Sequence, residues 1–259
     1  MLVDAHVHLT DREYDGMEDV VVGMLRSMDI RAVSVSMDLE TAERNLVLAE
    51  KYGHIIIPFA GLHPWCVTSD GYEDTLDGIC SFIEANIARI KGIGEIGLDR
   101  AIASDSSSDG FKAQVRVFET MLGIAEKHSK PVSIHSRRAV DDVISILTSY
   151  NIRGVLLHWF SGSKKQLATA NGRGYYVSYG PVLVYSKDKQ VLLRHTDREL
   201  VLVETDGPVR YGSCFSDRTA MPSFLASVAY AFANTLDLNY GDAEALLLGN
   251  ARRYLGLNL

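Results

Sequence analysis

Eight runs of β-type residues, near 2–9, 31–37, 55–62, 91–98, 131–136, 153–160, 174–180 and 200–205, alternate with helix-compatible segments along this chain. That alternation constrains the fold more than any other feature. The runs are nearly continuously apolar, as strands are when helices cover both faces of a parallel sheet. Between them the spacing turns helical. Leu39, Ala42, Leu46 and Ala49 recur at three- and four-residue steps over 39–53, with Glu40, Glu43, Arg44 and Lys51 mostly on other faces, so one stripe is available for burial. Phe111, Val115, Phe118, Leu122 and Ala125 repeat the pattern over 111–127. Eight βα units favour an α/β closed barrel, the (β/α)8 TIM fold, over an open doubly wound sheet.

The 259 residues fit one barrel domain over 1–259, since such barrels use about 200–250 residues for a single core. A composition that is 47% hydrophobic and 23% charged is ordinary for a globular chain and excludes disorder as its main state. No internal repeat, long linker or heptad run interrupts it. No apolar run approaches the ~20 residues of a membrane helix, and the opening residues lack the basic and apolar regions of a secretory signal. Cys66, Cys80 and Cys214 are odd in number and lack C-x-x-C spacing, which suggests neither a disulfide framework nor a thiolate zinc site. The expected location is the cytoplasm, with no membrane association and no obligate protein partner evident. A net charge of −7 argues against a broad basic face for non-specific duplex binding. It does not exclude a nucleic-acid substrate, because bound cations would offset Glu95 and Asp206 locally.

The chemistry lies at the ends of the apolar runs. In Asp4-Ala5-His6-Val7-His8 two imidazoles stand at i and i+2; on a strand they leave from one face and can share a divalent cation. Further metal-ligand types close later runs: Glu95, His135, His158 and Asp206, with His63 following the third. In a barrel these C-terminal strand ends form one ring. A lone histidine in a strand is more often a hydrogen-bonded core residue than a ligand. Gathering four imidazoles and two carboxylates at one mouth without cations would be costly. His54, His128 and His195 fall in helix ends or connections and read as surface or cap residues.

These phrases, in order, resemble the TatD-like family of metal-dependent hydrolases within the wider amidohydrolase group, whose members include deoxyribonucleases. The resemblance spans almost the whole chain. It rests on D-x-H-x-H at Asp4, Gly61-Leu62-His63-Pro64, Gly94-Glu95-Ile96-Gly97-Leu98-Asp99, Ile134-His135-Ser136-Arg137, His158-Trp159-Phe160-Ser161-Gly162, Glu204-Thr205-Asp206-Gly207-Pro208 and the closing Asn250-Ala251-Arg252-Arg253-Tyr254-Leu255. It implies a two-metal hydrolase on a TIM barrel. His6, His8, Glu95 and Asp206 would hold the first cation and Glu95, His135 and His158 the second, so that Glu95 bridges; two such ions activate a water and stabilise charge on substrate oxygens. His63 would donate to a non-bridging phosphate oxygen, and Asp206 would position the water and accept its proton. Four histidines suit zinc or manganese better than magnesium, which the deoxyribonuclease resemblance favours instead. The element stays open.

The expected substrate is DNA, attacked as an exonuclease would at a single-stranded or frayed end, with Arg137, Lys164 and Lys165 near the phosphates. Trp159 reads either as packing or as a platform for a nucleobase; packing is favoured for Tyr179 and Tyr185. Ser161-Gly162-Ser163-Lys164-Lys165 reads as a helix entry that either caps itself or receives a phosphate. The polar tract 103–110 reads as a solvent loop or a flap over the active face. Two departures bear on substrate: Trp159 stands where many members have Cys, and Arg218-Thr219-Ala220-Met221-Pro222 replaces an Arg-Asn-Glu-Pro phrase. Rival readings are a metal-dependent hydrolase of an ester or amide, such as a small cyclic amide or an aminoacyl-tRNA ester, and a non-catalytic metal-binding scaffold. The scaffold would have lost ligands, and none is lost here.

Overall fold

The computed structural model describes residues 1–67, 71–103 and 108–259. The runs become β1 Leu2–Val7, β2 Ile30–Ser34, β3 Ile56–Ala60, β4 Gly92–Gly97, β5 Val132–His135, β6 Val155–Leu157, β7 Tyr176–Tyr179 and β8 Val201–Val203. All neighbours pair in parallel, in chain order from β1 to β8. The seam is stitched just past the last ladder: the Asp206 amide donates to the His6 carbonyl at 3.0 Å and the His8 amide to the Gly207 carbonyl at 2.8 Å. The sheet is thereby a nearly closed (β/α)8 barrel, as the eight runs predicted. Each strand is shorter than its run because residues at the run's ends leave the ladder, those at the C-terminal end building the rim.

Alternation divides the side chains between two layers. Val3, Ala5, Val33, Ile57, Phe59, Leu156 and Leu202 form one cluster with Tyr254 and Leu255 of the final helix. Leu2, Ile30, Ala32, Ile56 and Val132 join the larger cluster between sheet and helices. The Phe59 ring lies where a Gly92 side chain would be, 2.1 Å from an ideal Cβ, so glycine is required there. Parity breaks in two strands. The β1–β2 register shifts between Asp4 and Val7, and the β4–β5 register between Ile93 and Ile96. These are the segments that carry His6 and Glu95, and such irregularities re-aim side chains beside sites.

The helix Leu39–Tyr52 begins where Asp38 accepts the Thr41 amide at 2.9 Å in a capping box and stops at Gly53, whose φ is +65°. It buries Ala42, Asn45 and Leu46, and the Asn45 amide donates to the carbonyls of Ser34 and Phe59 at 3.1 and 3.3 Å, tying helix to strands. The final helix, Tyr240–Leu255, closes the base: Asn250 donates to the carbonyls of Arg198 and Val201, and the Tyr254 hydroxyl to that of Val132. Beyond β8 the chain makes a small antiparallel pair, Arg210–Tyr211 with Arg218–Thr219. The apolar pattern gave no sign of it, because two-residue strands carry no period. Residues 104–107 of the polar tract lie outside the described residues. Among the described residues, no helix is long and apolar enough to cross a membrane.

Candidate metal centre

Glu95 is the hub. It leaves β4 at the register shift, is 2% exposed, and its two oxygens face different imidazoles. Oε1 lies 3.1 Å from His63 Nε2, 3.0 Å from His135 Nδ1 and 2.8 Å from His158 Nε2. Oε2 lies 3.2 Å from His8 Nε2 and 3.4 Å from His6 Nε2. Asp206, in left-handed backbone at φ +48°, turns Oδ1 to within 3.6 and 3.5 Å of the same His6 and His8 nitrogens. Three overlapping donor groups result, each with atoms within 4.8 Å of one another: His6, His8 and Asp206; His6, Glu95 and His158; His63, Glu95 and His135. The ligand types expected from the strand ends thus meet at one mouth.

The donor set fits divalent cations. His6 and His8 aim their Nε2 atoms at each other across 3.3 Å, a convergence that a shared cation satisfies. Burial pushes His6 down to about 4, with His158 adding to the effect, so its ring is neutral. Burial also opposes charge on His8, yet Asp206 and Glu95 raise it to about 10. Burial acts likewise on His158, and Glu95 drives it well above the ordinary range. Burial opposes the Glu95 charge in turn, and the rings of His63, His158 and His6 hold its carboxyl well below its usual value. Positive charge collects around these carboxylates; a metal supplies it more compactly and releases the protons.

Hydrogen bonds assign two histidines opposite roles. His63 Nδ1 accepts the Trp65 amide at 3.1 Å, so the proton of the neutral ring sits on Nε2, which is a donor. Burial lowers the basicity of His63, keeping that neutral form. His135 instead directs Nε2 at Asp99 Oδ2, 2.9 Å away. Burial opposes charge on the His135 ring, but Asp99 and Glu95 on either side raise its basicity; a cation taken up at Nδ1 would leave the remaining proton on Nε2 facing Asp99, the carboxylate–histidine arrangement common around metal ligands. Burial opposes the charge on Asp99, while His135, Trp65 and Arg137 together hold it far below its usual range.

A cleft of about 780 Å³ opens over the centre, bounded by Asp11, Glu13, Trp65, Arg137, Trp159 and Arg210 among others. Arg137 donates to Asp99 at 2.9 Å and reaches this lining. Lys164 and Lys165 do not belong to it. Lys164 faces His195 on the outer wall at 3.3 Å, and Ser163 caps its own helix through a capping box with Gln166, the self-capping alternative. Trp159 is half-buried, 5.6 Å from Tyr211 and packed on the cluster around Phe215. Tyr179 is buried against Thr196, while Tyr185 stays 36% exposed beside Phe215. Sequence reasoning assigned no role to Asp99 or Trp65. Asp99 lay in the Gly94–Asp99 phrase, two residues past β4 on the same rim, which was the available signal; Trp65 gave none.

A family model described as "TatD related DNase" matches residues 3–256. Mouse "Putative deoxyribonuclease TATDN3" is 30% identical over 213 residues, covering 80% of this chain and 72% of that protein. Human "Deoxyribonuclease TATDN3" is 29% identical, with 80% and 78% covered. The Bacillus subtilis "Uncharacterized metal-dependent hydrolase YabD" is 26% identical over the full length of both chains. Among solved structures, the TatD homologue YjjV of Escherichia coli superposes with a TM-score of 0.88 at 23% identity, covering 99% and 98% of the two chains.

Proposed function

The chain belongs to the TatD-related DNase family of metal-dependent hydrolases, and from that premise we propose that it is a two-metal deoxyribonuclease cutting DNA phosphodiester bonds from an end. The observation that carries the two-metal reading is the division of imidazoles between the oxygens of Glu95: His6 and His8 on one side, His135 and His158 on the other. With Asp206 beside the first pair, these residues would hold two cations, Glu95 offering one oxygen toward each pair of imidazoles. Zinc, manganese and magnesium are the candidates. Bound there, divalent cations supply charge to the phosphate oxygens and raise the acidity of water.

The protein's own groups do the rest. Asp206 orients the attacking water and accepts its proton. The Nε2–H of His63 donates to a non-bridging oxygen as negative charge develops. Arg137, fixed by Asp99 at the mouth, adds positive charge beside the leaving strand. The reactive residues lie at the floor of a walled cleft, which an end or a single strand enters more readily than the middle of a duplex. Deoxyribonuclease names on the mammalian relatives favour DNA over esters and amides.

The test is purified protein with magnesium, manganese or zinc on end-labelled single-stranded and duplex DNA, RNA, and a panel of small esters and amides. Expected are end-directed loss of DNA label and its abolition by chelator. Turnover of an ester or amide with no cut DNA would replace this substrate, and turnover insensitive to chelator would overturn the metal centre.

A further inference from the structure

Trp65 lies in the one-turn helix Pro64–Cys66 after β3 and belongs to none of the donor groups, yet it stands at the lip of the cleft with 52% of its surface exposed. An indole left that open costs apolar hydration unless something covers it. It is also anchored. Nε1 donates to Asp99 Oδ2 at 2.8 Å, and Asp99 is fully buried, its own amide bonded to the buried Gln114 at 2.9 Å. The ring centroid is 5.1 Å from that of His63, at 86°, and the Arg137 guanidinium carbon is 5.5 Å from it. One buried carboxylate therefore positions the indole, the Arg137 cation and the His135 ligand together.

We infer that Trp65 is the substrate-positioning platform of this site, on which a nucleobase of the entering strand stacks while its phosphate sits against His63 and Arg137. This rests on the deoxyribonuclease reading above and adds to it the group that recognises the base. Trp159 is the rival indole, but Tyr211 and the Phe215 cluster already cover it in part. Stacking needs an exposed ring that pays no ordering cost on binding, and the anchored Trp65 is that ring. Because every base has an aromatic face, the platform senses the presence of a base and not its identity.

The experiment compares wild type, Trp65→Ala and Trp65→Phe on single-stranded oligonucleotides carrying one abasic residue at each of the three positions nearest the attacked end, with manganese or magnesium. For wild type, one abasic position should lower kcat/KM by about 10-fold, the usual order for a stacked base. In Trp65→Ala that penalty should vanish while the fully based substrate falls by a similar factor; Trp65→Phe, which keeps a ring but loses the Asp99 bond, should lie between. A second readout is intrinsic fluorescence. The chain has two tryptophans, so quenching by 5′-dAMP should disappear in Trp65→Phe. Should Trp65→Ala fail to fold, Trp65→Phe and the quench decide. Identical abasic profiles in wild type and variants, or quenching that survives in Trp65→Phe, overturn the platform while the nuclease reading stands. If wild type cuts no DNA, both fall.

Discussion

The two ends of this barrel are built on opposite principles. At the base, Val3, Val33, Ile57, Phe59, Leu156 and Leu202 meet Tyr254 and Leu255 in an apolar plug, and the polar groups present are bonded to backbone, as Asn250 is to Arg198 and Val201. At the rim, His6, Glu95, Asp99, His158 and Asp206 are just as buried but face one another. His158 Nδ1 has no hydrogen-bond partner among the described residues, with Glu204 at 3.8 Å. Strand register is regular at the base and shifts in β1 and β4 near the rim. The base minimises free energy; the rim tolerates unfavourable burial because it is arranged for something to bind.

That contrast predicts separable effects. Asp206→Asn keeps the shape and one oxygen but removes the charge and the proton acceptor. Its turnover should fall by about 10² to 10⁴-fold, which is roughly 3–5 kcal/mol of barrier, while its urea midpoint stays near wild type. Near-normal turnover with metal bound would make Asp206 structural. Phe59→Ala should do the reverse, losing about 3–5 kcal/mol of stability with kcat per folded molecule unchanged. If kcat falls in step with stability, rim and base are not independent.

Asn250→Ala sharpens the base alone. It strips the hydrogen bonds from two carbonyls and should cost about 1–3 kcal/mol, read from the denaturation midpoint. The smallest effect concerns DNA affinity. Arg137→Ala should reduce the slope of log K against log salt by roughly one, whereas replacing Lys164 and Lys165 together should leave it unchanged. A reduced slope in the lysine variant would move the strand onto the outer wall.

Much of this was legible in the residues. Nearly continuous apolar runs between stripes of helical spacing are local signals, so eight strands and the helices 39–52 and 108–127 could be read with small errors at the ends. The strand-end position of His6, His8, Glu95, His135, His158 and Asp206 followed from the same count, because a parallel barrel gathers C-terminal strand ends at one mouth. Lys164 and Lys165 also follow a strand end, but Lys164 faces His195 and neither lysine lines the cleft, and no linear pattern encodes that.

The sequence by itself determined the barrel, the identity of the convergent donors and the family. Tertiary structure decided which nitrogen His135 presents, since that depends on Asp99, 36 residues away, whereas His63 is set locally by the amide of Trp65 two residues on. It also decided that Trp65 is more open than the half-buried Trp159, because exposure is set by what the whole fold packs around a ring. Periodicity and spacing reflect the covalent chain, whereas tautomers, register shifts and exposure belong to the packed whole.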